Sequence, residues 1–335
     1  MRRIGVAGAA LAVVLFWAAA AGSVFLSIPY RGFDEPVLFD YARGMPTREL
    51  AAELERLGVI RSRWLFLAMR GLNPRQALLA GEYRFAEDLT PRDVFLRLAR
   101  GHTYQVLLTV PEGLTRFEIA DLIEDYDFDC RDDFLRASEN TTAIRDLAPE
   151  ATTLEGFLFP DTYRLPRRTD ARGIVELMVS RFRRVYEEEA AQASAKLDAY
   201  KALTLASLVE KETGQGTERE LISSVFHNRL ERGMRLQCDP TIIYGLIVED
   251  RFRGKIYLSD LKDPTPYNTY VHSGLPPGPI ANPGRAALRA ALDPAESNYL
   301  FFVAKAVGAG KHVFSSTLKD HDRAVAAYRR SERRR

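Results

Sequence analysis

The sequence predicts an α+β protein in three parts: an apolar N-terminal segment, a small α/β module and a larger domain of helices with short strands. Three observations predict this. An uncharged run from Ile4 to Tyr30 follows Met1-Arg2-Arg3. Strand-like runs then alternate with short amphipathic stretches opened by threonine. From Thr152 the chain becomes dense in aromatics, prolines and amides between strongly periodic helical segments.

The first part reads as a single transmembrane helix over residues 4–30, because about twenty apolar residues cross a bilayer. Arg2 and Arg3 on the short side keep residues 1–3 in the cytoplasm and export the remainder. Ala18-Ala19-Ala20 would also suit a signal peptidase, but apolar residues continue through Leu26 and Ile28, which favours a retained anchor. The absence of cysteine nearby excludes a lipoprotein anchor. Residues 31–36 form a linker, 37–104 the small module, 105–328 the larger domain and 329–335 a solvated basic tail.

From the module into the start of the larger domain, Thr47, Thr90 and Thr115 each precede an apolar-periodic stretch. Thr115 with Glu118 fits a capping box, and Thr90 with Pro91 and Asp93 places proline at the first helical position. Strand-like runs at 81–85 and 106–110 precede two of these helices. Further on, a charged helix is expected over 171–196, followed by the buried helical run Leu203–Val209, apolar almost all round. A helix capped by Thr217 and Glu220 follows, then an irregular stretch over 267–283 and a helix over 284–292. A strand over 298–304, a hairpin to 312–314 and a helix over 319–328 complete the order.

The net charge of +2, from 47 basic and 45 acidic residues, excludes a basic field suited to nucleic acid. Cys130 and Cys238 form no CxxC pair and imply no zinc site; two free thiols, or one bridge, fit them. The five histidines show no metal spacing, so no metal or cofactor is expected. Gly308-Ala309-Gly310-Lys311 fails as a phosphate loop, and no G-x-S-x-G elbow occurs.

Glu210 is the sharpest catalytic candidate. It is the first charge after a buried run, and burial and a helix C-terminus both favour the protonated form a general acid needs. Glu212 lies about 200° further round the helix, so only one of the two can face a given pocket. Gln237, Asp239, Tyr244, Tyr267 and Asn268 supply the rings and amides of a carbohydrate groove.

Leu205–Thr213, Ser224–Leu230, Gly233–Gly245, Tyr267–Tyr270, Gly274–Gly284 and Leu154–Tyr163 closely resemble the signatures of the YceG-like (MltG) endolytic murein transglycosylases. The order is kept along the chain. The resemblance implies a LysM-like module after the anchor and a catalytic domain whose glutamate falls on Glu210. It implies peptidoglycan glycan strands as substrate, cut between MurNAc and GlcNAc with a 1,6-anhydro end. It also implies work at the cytoplasmic membrane, on its outer side, beside penicillin-binding synthases. Cys238 stands where threonine is common; Phe157 and Phe159 stand where tryptophans are common and bear on sugar stacking. The rival readings are a lysozyme-like hydrolase using Glu155, Asp161 or Asp239 as second carboxylate, and a non-catalytic wall-binding scaffold.

Overall fold

A computed structural model describes residues 26–126, 128, 131–193, 197–213, 216–305 and 311–332. The chain divides into two compact units. One runs to Val106 and includes Arg164–Arg167; the other is Leu107–Tyr163 with Arg168–Arg335.

The first unit is built from β1 (Val37–Tyr41), α1 (Thr47–Arg56), α2 (Arg63–Leu72), β2 (Gly81–Phe85) and α3 (Pro91–Arg100). β1 and β2 pair antiparallel with Val37 opposite Phe85 and Tyr41 opposite Gly81. Alternation then puts Phe39, Tyr41, Tyr83 and Phe85 on one buried face, where they meet Leu50, Leu54, Phe66, Phe95 and Leu98. Each fully buried large side chain there contributes roughly 1.5–3 kcal/mol. Thr90 caps α3 in a full capping box with Asp93, as its spacing predicts. Thr47 instead lies inside α1, whose N-cap position is Pro46.

The transmembrane helix expected over residues 4–30 requires correction. Among the described residues no helix is long and apolar enough to cross a membrane. Residues 1–25 lie outside the described residues. Tyr30, placed at the end of the span, is instead tied into the first unit by two backbone hydrogen bonds with Leu89, of 3.0 and 3.2 Å. Leu26 and Phe33 pack against that unit's core. The α+β class itself stands.

The second unit holds the strands and helices around the candidate site. β3 (Gln105–Thr109) and β4 (Thr162–Pro166) pair, and just beyond them Val110 N–H donates to Asp161 O at 3.0 Å. Between these strands lie α4 (Arg116–Asp125), capped by Thr115 in a box with Glu118, and α5 (Arg131–Ala137). Then follow α6 (Ala171–Ala190), α7 (Ala199–Glu212), α8 (Arg219–Glu231), α9 (Asp239–Val248), α10 (Arg285–Leu292), the hairpin β5 (Phe301–Ala304) and β6 (His312–Ser315), and α11 (Leu318–Glu332).

α7 is buried from Ala202 to Val209, and its N-cap Asp198 accepts from Lys201 N–H. Helix α8 starts at Arg219 rather than at Thr217, and Glu218 at its N-cap makes no side-chain cap. α11 runs through Glu332, so Arg329 and Arg330, expected in a solvated tail, are helical. Helix α9 was not foreseen, because Asp239-Pro240 reads as a loop although proline suits a first turn.

Gly156 sits at φ 87°, and a Cβ there would lie 2.6 Å from Pro279 and 3.1 Å from Leu203. Gly156→Ala therefore combines left-handed strain with overpacking and is expected to cost about 2–4 kcal/mol, read by urea denaturation.

Candidate functional site

The last turn of α7 presents two carboxyls to two different surroundings. Glu210 lies in a closed ion cluster. Its side chain is 7% exposed; Arg219 Nη2 donates to Oε1 at 3.2 Å and Gly284 N–H donates to Oε2 at 3.1 Å. Glu112 adds a second carboxyl, 3.7 Å from the same guanidinium. Burial pushes Glu112 up, the Glu210 carboxylate adds to this, and Arg219 opposes it. A Cβ at Gly284 would lie 1.9 Å from Glu112 Oε1, so any side chain there must push the Glu112 carboxyl aside.

Glu212 faces a cavity of about 600 Å³, walled also by Gln237, Cys238, Asp239, Tyr270 and His321. Burial pushes its carboxyl up, Asp239 adds to this, and Cys238, His312 and Arg229 oppose it. Burial also holds the Cys238 thiol protonated, and its Sγ donates to Glu212 Oε1 at 3.1 Å. The loop that carries this thiol is pinned from below. Cys238 N–H donates to Thr269 Oγ1 at 2.9 Å, and Thr241 Oγ1 donates to Cys238 O at 2.6 Å. Gln237 takes φ 50°, an uncommon left-handed conformation for a non-glycine residue, at the cavity rim.

A third assembly holds the loops in place. Asn282 is fully buried and joins three segments. Its Oδ1 accepts from Leu158 N–H at 2.9 Å, while its Nδ2 donates to Leu114 O at 2.9 Å and to Glu155 Oε1 at 2.8 Å. Glu155 also accepts from Arg116 N–H and from Tyr244 OH at 2.9 Å. Ser207 Oγ accepts from Ile280 N–H at 3.0 Å, fixing the same proline-rich loop to α7.

Burial pushes Glu155 up to about 7, with the Arg116 amide and Tyr244 hydroxyl pulling the other way. A carboxyl raised on folding binds its proton more tightly in the native state, so stability must fall as pH rises from its unfolded value to 7. Urea denaturation is expected to show the protein about 3 kcal/mol less stable at pH 7.5 than at pH 4.5 on this account. Glu155→Gln should remove most of that slope; an unchanged slope contradicts the assignment.

The residues read from sequence therefore separate. Gln237 and Asp239 are exposed at the cavity rim beside Glu212. Asp239 Oδ1 accepts from Tyr270 OH at 2.6 Å. Tyr244 is 3% exposed, its hydroxyl on Glu155 and its ring edge-on to Tyr267 at 4.9 Å. Asn268 is fully buried and its Nδ2 donates to Asp260 O, Leu261 O and Asp263 O. Phe157 and Phe159 are buried too, Phe157 edge-on to Phe182, so neither offers a face to a sugar. Of the rival second carboxylates, Glu155 is buried, Asp161 pairs with Arg181, and Asp239 alone shares the Glu212 cavity. Cys238 is a free, buried cysteine, and Cys130 lies outside the described residues.

Sequence reasoning missed Glu112, Arg219, Asn282, His321 and Arg329. Of these, only Asn282 carried a signal, inside the Gly274–Gly284 run.

A half-buried carboxyl facing a polar cavity, with a second carboxylate on the same rim, is the arrangement of glycoside-cleaving sites. The YceG-like family matches residues 39–327, and the chain belongs to that family. It is 32% identical over 302 residues to the endolytic murein transglycosylase of Bacillus subtilis, covering 85% of this chain and 82% of that protein. It is 29% identical over 314 residues to the endolytic murein transglycosylase of Streptococcus pneumoniae, covering 85% of this chain but 57% of that protein. A YceG-like protein of Listeria monocytogenes, known from a crystal structure, is 32% identical with a TM-score of 0.57, covering 87% of this chain and 99% of that one.

Proposed function

We propose that this chain is an endolytic lytic transglycosylase of peptidoglycan, cutting between MurNAc and GlcNAc with Glu212 as its acid and base. The observation that carries this reading is the half-buried Glu212, its carboxyl pushed up by burial, facing the cavity whose rim holds Gln237 and Asp239. Family membership and the names of the relatives support the reaction.

Glu210 suits the role less well on this geometry. Its two carboxyl oxygens are each held by a protein donor, the Arg219 guanidinium on one and the Gly284 amide on the other, and it does not line the cavity that Glu212 faces. Protonated Glu212 gives its proton to the glycosidic oxygen. The C6 hydroxyl of MurNAc closes on C1 as the bond breaks, and the Glu212 carboxylate takes the hydroxyl proton. No water is consumed, and the nucleophile arrives already attached, which replaces a held water by effective molarity. Gln237 and Asp239 bind sugar hydroxyls at the rim; Tyr244, with Tyr267 packed on its ring, and Asn268 act by holding the loops.

A hydrolase remains the second reading because Asp239 shares the cavity with Glu212 and offers the second carboxylate of ordinary glycosidases. Mass spectrometry of digested sacculi separates the two. Anhydro ends, one water lighter, are expected; reducing ends alone overturn the lytic assignment.

The first unit, with its strand–helix–helix–strand order, is proposed as a LysM-like wall-binding module. The enzyme is proposed to act on the outer side of the cytoplasmic membrane, where its substrate lies, ending nascent strands beside penicillin-binding synthases.

A further inference from the structure

We infer that α11 forms an anion-binding wall of the Glu212 cavity, which recognises a carboxylate carried on muramic acid. The inference rests on the proposed substrate and names what distinguishes it from a plain GlcNAc polymer. His321, Val325 and Arg329 all line the cavity. Their spacing of four residues puts them within about 80° of arc on one face of the helix. The face is therefore a cation, an apolar step and a second nitrogen donor in a row.

Among the described residues neither the Arg329 guanidinium nor His321 Nδ1 has a polar partner. Arg329 is exposed and makes no ion pair among the described residues. His321 Nδ1 is buried with no hydrogen-bond partner, although the ring is fixed by stacking on Phe301 at 5.1 Å. An orphaned buried ring nitrogen is costly unless a ligand group completes it, and the Arg329 guanidinium lies about two turns along the same face. The other guanidinium in the wall, Arg229, is committed to Leu300 O and Leu236 O. The Asp239 carboxylate is met by Tyr270 OH, and burial favours a neutral Glu212, so neither carboxyl competes strongly for the cation.

Muramic acid differs from GlcNAc by its lactyl ether, which ends in a carboxylate when free and carries the acidic stem peptide when substituted. Either source supplies the same group to a guanidinium fork. A 600 Å³ cavity lies within the size range of small-ligand pockets.

The test uses full-length protein carrying Glu212→Gln, so that binding is read by calorimetry without turnover. The ligands are a GlcNAc–MurNAc tetrasaccharide with free lactyl groups, the same tetrasaccharide bearing stem peptides, and chitotetraose. At least one muramyl ligand is expected to bind roughly tenfold more tightly than chitotetraose. Arg329→Ala should abolish that preference and Arg329→Lys should retain part of it; the ligand whose preference disappears identifies the source. The variant sits on an exposed position and is expected to fold. A preference absent in the parent, or unchanged by both Arg329→Ala and His321→Ala, overturns the inference. Muramyl binding that depends on Arg329, in a wild-type protein that cleaves no strand, would sink the transglycosylase reading and leave this one standing.

Discussion

Glu212→Gln is expected to lower the rate of glycan cleavage about a thousandfold while leaving the fold intact. Positioned general acid–base groups contribute 10²–10⁴ in rate, and here one carboxyl serves both steps. Glutamine keeps the side-chain volume, and its carbonyl can still accept from Cys238 Sγ, which now donates at 3.1 Å. Glu210→Gln should behave differently. It takes the nearer of two carboxylates from Arg219, which is 18% exposed and keeps Glu112 at 3.7 Å, and weakens the bond to Gly284. A loss of about 1–2 kcal/mol in stability is expected, because a largely buried guanidinium is left with its longer ion pair to Glu112 alone. Cleavage by the protein that remains folded should persist. The pair is read by counting anhydro ends released from sacculi, with urea denaturation alongside. A stable, inactive Glu210→Gln beside an active Glu212→Gln would move the acid to the other face of α7.

That contrast shows how far the sequence alone could be read. Hydrophobic periodicity and capping chemistry are local, so α3, α4, α7 and the strand at 81–85 could be placed from their own residues. The buried run Leu203–Val209 marked the helix end where a carboxyl would matter. The choice between two glutamates about 200° apart depends on what packs against each face. Those partners come from remote segments: Gly284 and Glu112 on one side, Cys238 and α11 on the other. The same limit explains Tyr244 and Asn268. Polarity in a loop fits a sugar groove and a buried loop anchor equally well, and only the burial of both residues decides. The end of α11 was misplaced because an arginine-rich terminus reads as solvated, while its helical spacing turns Arg329 towards the cavity.

Asn282→Asp is expected to be more damaging than Asn282→Ala at neutral pH, and to recover on acidification. The alanine variant leaves Leu158 N–H without its partner and takes one donor each from Leu114 O and Glu155 Oε1, which keep the residue-282 and Arg116 N–H groups, at about 2–3 kcal/mol in total. The aspartate has the same size and can still accept from Leu158 N–H. Its second oxygen, however, replaces the Nδ2 that donates to Leu114 O and to Glu155 Oε1. A carboxylate would then face a carbonyl and a second carboxyl in a site with no exposure. Protonating either acid relieves the conflict by restoring a donor between them. Urea denaturation of the three proteins at pH 5 and pH 7.5 reads the effect: the aspartate variant should rank below alanine at pH 7.5 and above it at pH 5. A pH-independent order would mean that Glu155 and position 282 do not share a proton-dependent contact, and that Asn282 holds the loops through Leu158 and Leu114 alone.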